Sequence, residues 1–109
     1  MKGRDREPRI PPERYGTIRQ EMIALLEGRT LSARDISADA AIPVREVYEH
    51  LDHIQRTLHK GGKEFIVIPA ECRKCGFVFR KRDRLTKPGK CPVCRSELIQ
   101  EPLFSIQKT

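Results

Sequence analysis

The stretch from Cys72 to Cys94, CRKCGFVFRKRDRLTKPGKCPVC, decides how the rest of the chain reads. Two Cys-x-x-Cys pairs, Cys72/Cys75 and Cys91/Cys94, are separated by residues 76–90, the spacing of a four-thiolate zinc site. Two residues between paired cysteines let a tight turn aim both sulfurs at one point. A second such turn completes a tetrahedron around a divalent ion and leaves no open position. Gly76 frees the backbone just after the first pair, and Pro92 pre-sets φ inside the second. Phe77-Val78-Phe79 reads as a short strand, and Lys87-Pro88-Gly89-Lys90 as the turn that returns the chain. The expected product is a zinc ribbon around one structural zinc ion. Four cysteines also suit a disulfide framework or a rubredoxin-like iron site. Against the first stands the lack of anything resembling a secretory leader. Against the second stand only six aromatic residues and no tryptophan to shield a redox centre.

A chain of 109 residues allows one compact domain or two very small ones, and small domains bury too little surface to dispense with a staple. No apolar run approaches the roughly 20 residues needed to cross a bilayer, so a soluble cytoplasmic protein with no membrane association is expected. Net charge is +7. Residues 1–69 hold twelve Lys/Arg and eleven Asp/Glu, whereas residues 70–109 hold ten and four. Four thiolates on a divalent ion lower the second half from +6 to +4. The basic excess therefore lies with the cysteines and points to an anionic partner.

Residues 1–14 mix both charge signs with three prolines and read as a flexible arm. Residues 15–69 read as a winged helix-turn-helix and residues 70–109 as the ribbon, an α+β arrangement of three helices followed by a small β module. Ile18, Met22, Leu25 and Leu26 form a helical stripe over 17–27, with Thr17 and Gln20 spaced as a capping box and Gly28 placed for a left-handed C-cap. Ser32 caps a short helix over 33–40, with Asp35 at its third position. Pro43 opens a longer helix to Leu58, whose buried face is Val44, Val47, Leu51, Ile54 and Leu58. Arg45, Tyr48 and His50 fall off that face. A short helix, a tight turn and a longer helix form the helix-turn-helix pattern. Gly61-Gly62 ends it, and Lys63 to Ile68 follows as a wing strand. Near the C-terminus, segments 96–100 and 103–106 read as extended, covering the ribbon or returning to the helical half.

The segments LSARDISADAAIPVREVYEHLDHI, ECRKCGFVFR, CPVCRSELI and EPLFSI together resemble a family of predicted prokaryotic transcriptional regulators, a winged helix-turn-helix fused to a C-terminal zinc ribbon. The resemblance covers residues 17–106. It implies a DNA-binding regulator in which Cys72, Cys75, Cys91 and Cys94 hold the metal and 43–48 opens the recognition helix. Glu46 and Glu49 depart from what a phosphate-facing helix wants, and Arg45 is also spaced to pair with Glu49.

The leading expectation is a regulator that binds double-stranded DNA. Arg45, Tyr48 and His50 would face the groove, Arg34 and Lys63 would touch phosphates, and Arg80, Lys81, Arg82 and Arg84 would follow the backbone. The alternative is a protein-interaction adaptor in transcription or RNA machinery. An enzyme is not expected, because neither a nucleophile constellation nor a phosphate-cradling glycine loop is present. His50 and His53, three apart, could also share a surface metal. Winged-helix regulators are often dimers, and a homodimer is compatible with this chain.

Overall fold

A computed structural model describes residues 15–58, 62–80 and 85–108. The expected arm, 1–14, lies outside the described residues.

Helix α1 (Tyr15–Leu26) turns Ile18, Met22 and Leu26 into the core at the expected helical spacing. Thr17 lies inside this helix, so the expected cap at Thr17 does not form. Gly28 has an ordinary φ rather than the left-handed value expected for it. Strand β1 (Leu31–Ser32) precedes α2 (Ala33–Ala40). The Ser32 hydroxyl accepts from the Asp35 N–H, and the Asp35 carboxylate accepts from the Ser32 N–H, both at 3.1 Å. Such a complete capping box satisfies two of the four N–H groups that a helix start leaves unpaired.

The turn to α3 (Val44–Thr57) is closed by Ala41 in the left-handed conformation (φ 58°), whose N–H bonds the Ser37 carbonyl, while the Ser37 hydroxyl bonds the Ile42 carbonyl. Pro43 caps α3 from outside its first turn, one residue earlier in role than expected. Val47, Leu51 and Ile54 are fully buried, and each contributes about 1.5–3 kcal/mol of apolar burial.

Strand β2 (Lys63–Ile68) pairs antiparallel with β5 (Leu103–Lys108), and β5 pairs with β1 on its other side. The three-stranded sheet therefore closes with the end of the chain, and Phe104 and Ile106 join the helical core. Within the expected ribbon segment 70–109, strand β5 belongs to the winged-helix sheet. The ribbon is an insertion at the tip of the wing hairpin.

The junction has a specific construction. In the ribbon, β3 (Glu71–Cys72) pairs with β4 (Ile99–Gln100). The β2/β5 ladder ends at Ile68↔Leu103, and the β3/β4 ladder begins at Glu71↔Gln100. Continuing one register across the gap sets Pro69 opposite Pro102 and Ala70 opposite Glu101. Neither proline has an N–H to donate, so the ladder breaks on both strands at one level without a shift of register. Leu85 adds a second tie: it leaves the ribbon loop to pack in the helical core.

The expected strand at Phe77–Phe79 is reduced to one bridge, Val78↔Glu71. The two rings pack edge to face at 5.0 Å. They lie against a second small core of Ala70, Cys72, Cys91 and Ile99.

Candidate metal centre and nucleic-acid face

Each cysteine pair sits in the same local turn. The Gly76 N–H bonds the Cys72 carbonyl, and the Arg95 N–H bonds the Cys91 carbonyl, both at 2.9 Å. Each turn then exits through a left-handed residue, Gly76 at φ 85° and Arg95 at φ 65°. Glycine adopts that backbone without cost, whereas an arginine held there costs about 1–2 kcal/mol.

The two turns face each other and bring all four sulfurs within 4.8 Å of one another. Across the turns, Cys72 Sγ lies 3.6 Å from Cys94 Sγ, and Cys75 Sγ lies 3.5 Å from Cys91 Sγ. A tetrahedron with zinc–sulfur bonds of about 2.3 Å has edges of about 3.8 Å, so the donor set fits one structural zinc ion. All four thiols are free, which removes the disulfide framework.

The backbone supports negative charge on sulfur. The Cys75 N–H points at Cys72 Sγ (3.5 Å), and the N–H groups of Val93 and Cys94 point at Cys91 Sγ (3.3 and 3.5 Å). The Cys75 N–H, helped by that of Lys74 and by neighbouring thiols, holds Cys72 down to about 6. At Cys91, burial pushes up, but the N–H groups of Cys94 and Val93 outweigh it and the thiol is lowered. At Cys75 the Phe77 N–H pulls down, yet burial and hydrogen bonding of its thiol with Cys91, Cys94 and Cys72 prevail and push it up to about 12. Four thiols this close cannot all ionise by themselves. A divalent cation supplies the charge that lets them do so.

The expected DNA-contacting residues meet different fates. Arg34 on α2 and Arg45 on α3 are exposed, and Tyr48 is half-buried against the core. His50 is the clear correction: it is 2% exposed and cannot reach a groove. Its Nδ1 accepts from Arg19 Nε at 3.1 Å, and its ring meets Tyr15 edge to face at 5.1 Å. Burial, with the Arg19 charge, lowers the His50 pKa, so the ring is a neutral acceptor joining α3 to α1. A surface metal shared by His50 and His53 is removed with it. Lys63 forms an ion pair with Glu27 at the end of α1, and this partner lowers the Glu27 pKa. A phosphate contact by Lys63 would require that pair to open.

Arg80 is exposed at the root of the ribbon, next to Phe79, whose N–H bonds the Ala70 carbonyl. Lys81, Arg82 and Arg84 lie outside the described residues. Reasoning from sequence missed Leu85 as an anchor; an aliphatic residue ending a run of charge is the one local signal for it. Among the described residues no helix is long and apolar enough to cross a membrane.

Residues 17–66 match the family described as PF0610-like, N-terminal, and residues 69–109 match the PF0610 rubredoxin-like zinc beta-ribbon domain. The chain is similar to the solution NMR structure of protein PF0610 from Pyrococcus furiosus, with 27% identity and a TM-score of 0.73 over 97% of this chain and 100% of that one. No curated protein matches it.

Proposed function

For a chain made of a PF0610-like N-terminal domain and a rubredoxin-like zinc ribbon, we propose that it is a DNA-binding transcriptional regulator rather than an enzyme. Its zinc has a structural role, since four protein thiolates leave no position for substrate or water. The observation that carries this reading is topological. The hairpin that follows α3 is a wing, and the tip of that wing is the module holding the basic excess of the sequence.

The start of α3, with Arg45 and Tyr48, enters the major groove. Arg34 on the preceding helix meets a flanking phosphate. Arg80, with Lys81, Arg82 and Arg84 that follow it in the sequence, meets the phosphate backbone beside the docked helix. His50 serves this arrangement from inside: bonded to Arg19, it fixes how α3 lies on α1. Reduced thiols and a zinc site suit the cytoplasm.

The test is selection from a pool of random duplexes with the zinc-loaded chain, followed by affinity measurements against salt. A short enriched site is expected, with Arg45→Ala erasing the preference. Replacing Arg80, Lys81, Arg82 and Arg84 together by Ala should flatten the salt slope by about 0.9 for each phosphate no longer neutralised. Absence of both enrichment and salt-dependent binding would overturn the reading.

A further inference from the structure

The exposed apolar side chains of this molecule are unevenly placed. Among the described residues the large hydrophobic side chains left in solvent are Val93 and Leu98, each 65% exposed, and Ile68 at 43%. Two are on the ribbon, and the third ends the strand that enters it; the helices present none. Scattered single aliphatics on a surface carry no meaning, but these are not scattered. Val93 lies within the second cysteine turn. Leu98 is fastened beside the first, its carbonyl accepting from the Arg73 N–H at 2.8 Å. With all four sulfurs inside 4.8 Å, both aliphatics flank one metal centre.

Cations frame them. Arg73, Lys74, Lys90 and Arg95, each within one residue of a cysteine, are exposed, and the exposed Lys87 lies further along the same module. The exposed carboxylates nearby are Glu71 and Glu97. We propose that the cysteine-turn end of the ribbon is a docking surface for an acidic protein segment that carries aliphatic side chains.

Two observations separate this partner from a nucleic acid. Single-stranded bases are held by stacking on aromatic faces, and Phe77 and Phe79 use theirs on each other and on the small core. What the surface offers instead is aliphatic area within a cationic frame, which complements carboxylates spaced among apolar side chains. The second observation is Arg95. The sister turn exits through Gly76, while this one keeps a charged side chain in the left-handed region, φ 65°, directly after the turn that bears Val93. Backbone strain retained at a surface position gathers at functional sites. The DNA reading assigns phosphates to Arg80 and the basic run after it and gives no role to Arg73, Lys74, Lys90 or Arg95, so the two proposals are tested by different residues.

The test uses the zinc-loaded full chain, isotopically labelled and titrated with a short synthetic peptide alternating glutamate and leucine. Parallel titrations use a glutamate/serine peptide, a lysine/leucine peptide, duplex DNA and single-stranded DNA. The glutamate/leucine peptide alone should shift the amides of residues 73–75 and 93–98. Val93→Ser with Leu98→Ser should weaken it by about tenfold or more, because both positions lose apolar area that docking would bury. Arg95→Gly is the decisive variant. It relaxes the turn, so zinc content and melting temperature hold or rise, while peptide affinity falls several-fold. Unchanged affinity in either variant would overturn the proposal, as would shifts confined to the helical half. Shifts at 73–75 and 93–98 caused by DNA and not by the peptide would assign the surface to nucleic acid and equally overturn it.

Discussion

The two halves of this molecule reach order by different physics. Three helices and three strands bury Met22, Leu26, Ile36, Leu51, Ile54, Phe104 and Ile106 almost completely. The ribbon encloses Ala70, Cys72, Cys91 and Ile99, with two phenylalanines alongside. Burial on that scale does not offset the conformational entropy of a segment this long. Four sulfurs around an ion do what side-chain packing does next door. One half should therefore fail on heating or on loss of a core residue, and the other on loss of metal.

Chelation gives the largest contrast. Structural zinc binds with an apparent free energy of about 10–16 kcal/mol at neutral pH, and that energy is folding energy for the segment concerned. Removing the metal should collapse the amide dispersion of residues 71–100 while the helical amides stay in place. The wing will weaken, since its strands then close a long open loop, but loop entropy grows only by about 0.6 kcal/mol per doubling of length. Melting of both halves together on chelation would erase the distinction.

Phe104→Ala inverts the experiment. This ring is fully buried, at a centroid distance of 6.0 Å from Phe65, and its loss should cost about 3–5 kcal/mol. Although Phe104 follows the last cysteine, the helical half should unfold in denaturant well before the wild type, while the four cysteines still take up one metal ion. Ser32→Ala removes half of the capping box and should cost about 0.5–2 kcal/mol, read as a lower denaturation midpoint with zinc content unchanged.

A pH titration gives the finest contrast. The folded His50 pKa is lowered by burial and by Arg19, so below the ordinary value of 6.5 the unfolded chain binds more protons than the folded one. The stability His50 gives is complete above pH 6.5 and declines as pH falls through the lowered value. His50→Gln should flatten that slope for the helical half. Metal release on acidification follows thiolate protonation instead and should be indifferent to this substitution.

What could be read in advance follows the range of the interactions. The cysteine turns, the Ser32–Asp35 box and the β-rich run Lys63–Ile68 depend on neighbours within a few residues, and the sequence displays them. His50 also carried a signal: three residues after Val47 and four before Ile54, it falls on the buried stripe, but its polarity suggested the outside. Its acceptor bond from Arg19, 31 residues away, is what makes burial tolerable. The left-handed Ala41 was hidden because alanine is not a usual choice there. β1 has two residues and no period to detect. The placement of β5 depended on whether 103–108 joined the ribbon or a strand some 40 positions earlier, and local pattern is silent about partners at that separation.

The opposed prolines at the wing tip have a consequence for how such an architecture can arise and survive. Because side chains alternate across a strand, a graft that added an odd number of residues to one arm of the hairpin would turn every later side chain inside out. Here Ile68↔Leu103 and Glu71↔Gln100 keep the same count on both arms. Pro69 also ends the free margin of the edge strand β2, the length along which a stray strand could zip on. The join thus behaves as a coupling with a keyway: a different metal-binding cartridge could be fitted there without disturbing the helices, provided both arms changed by matching lengths.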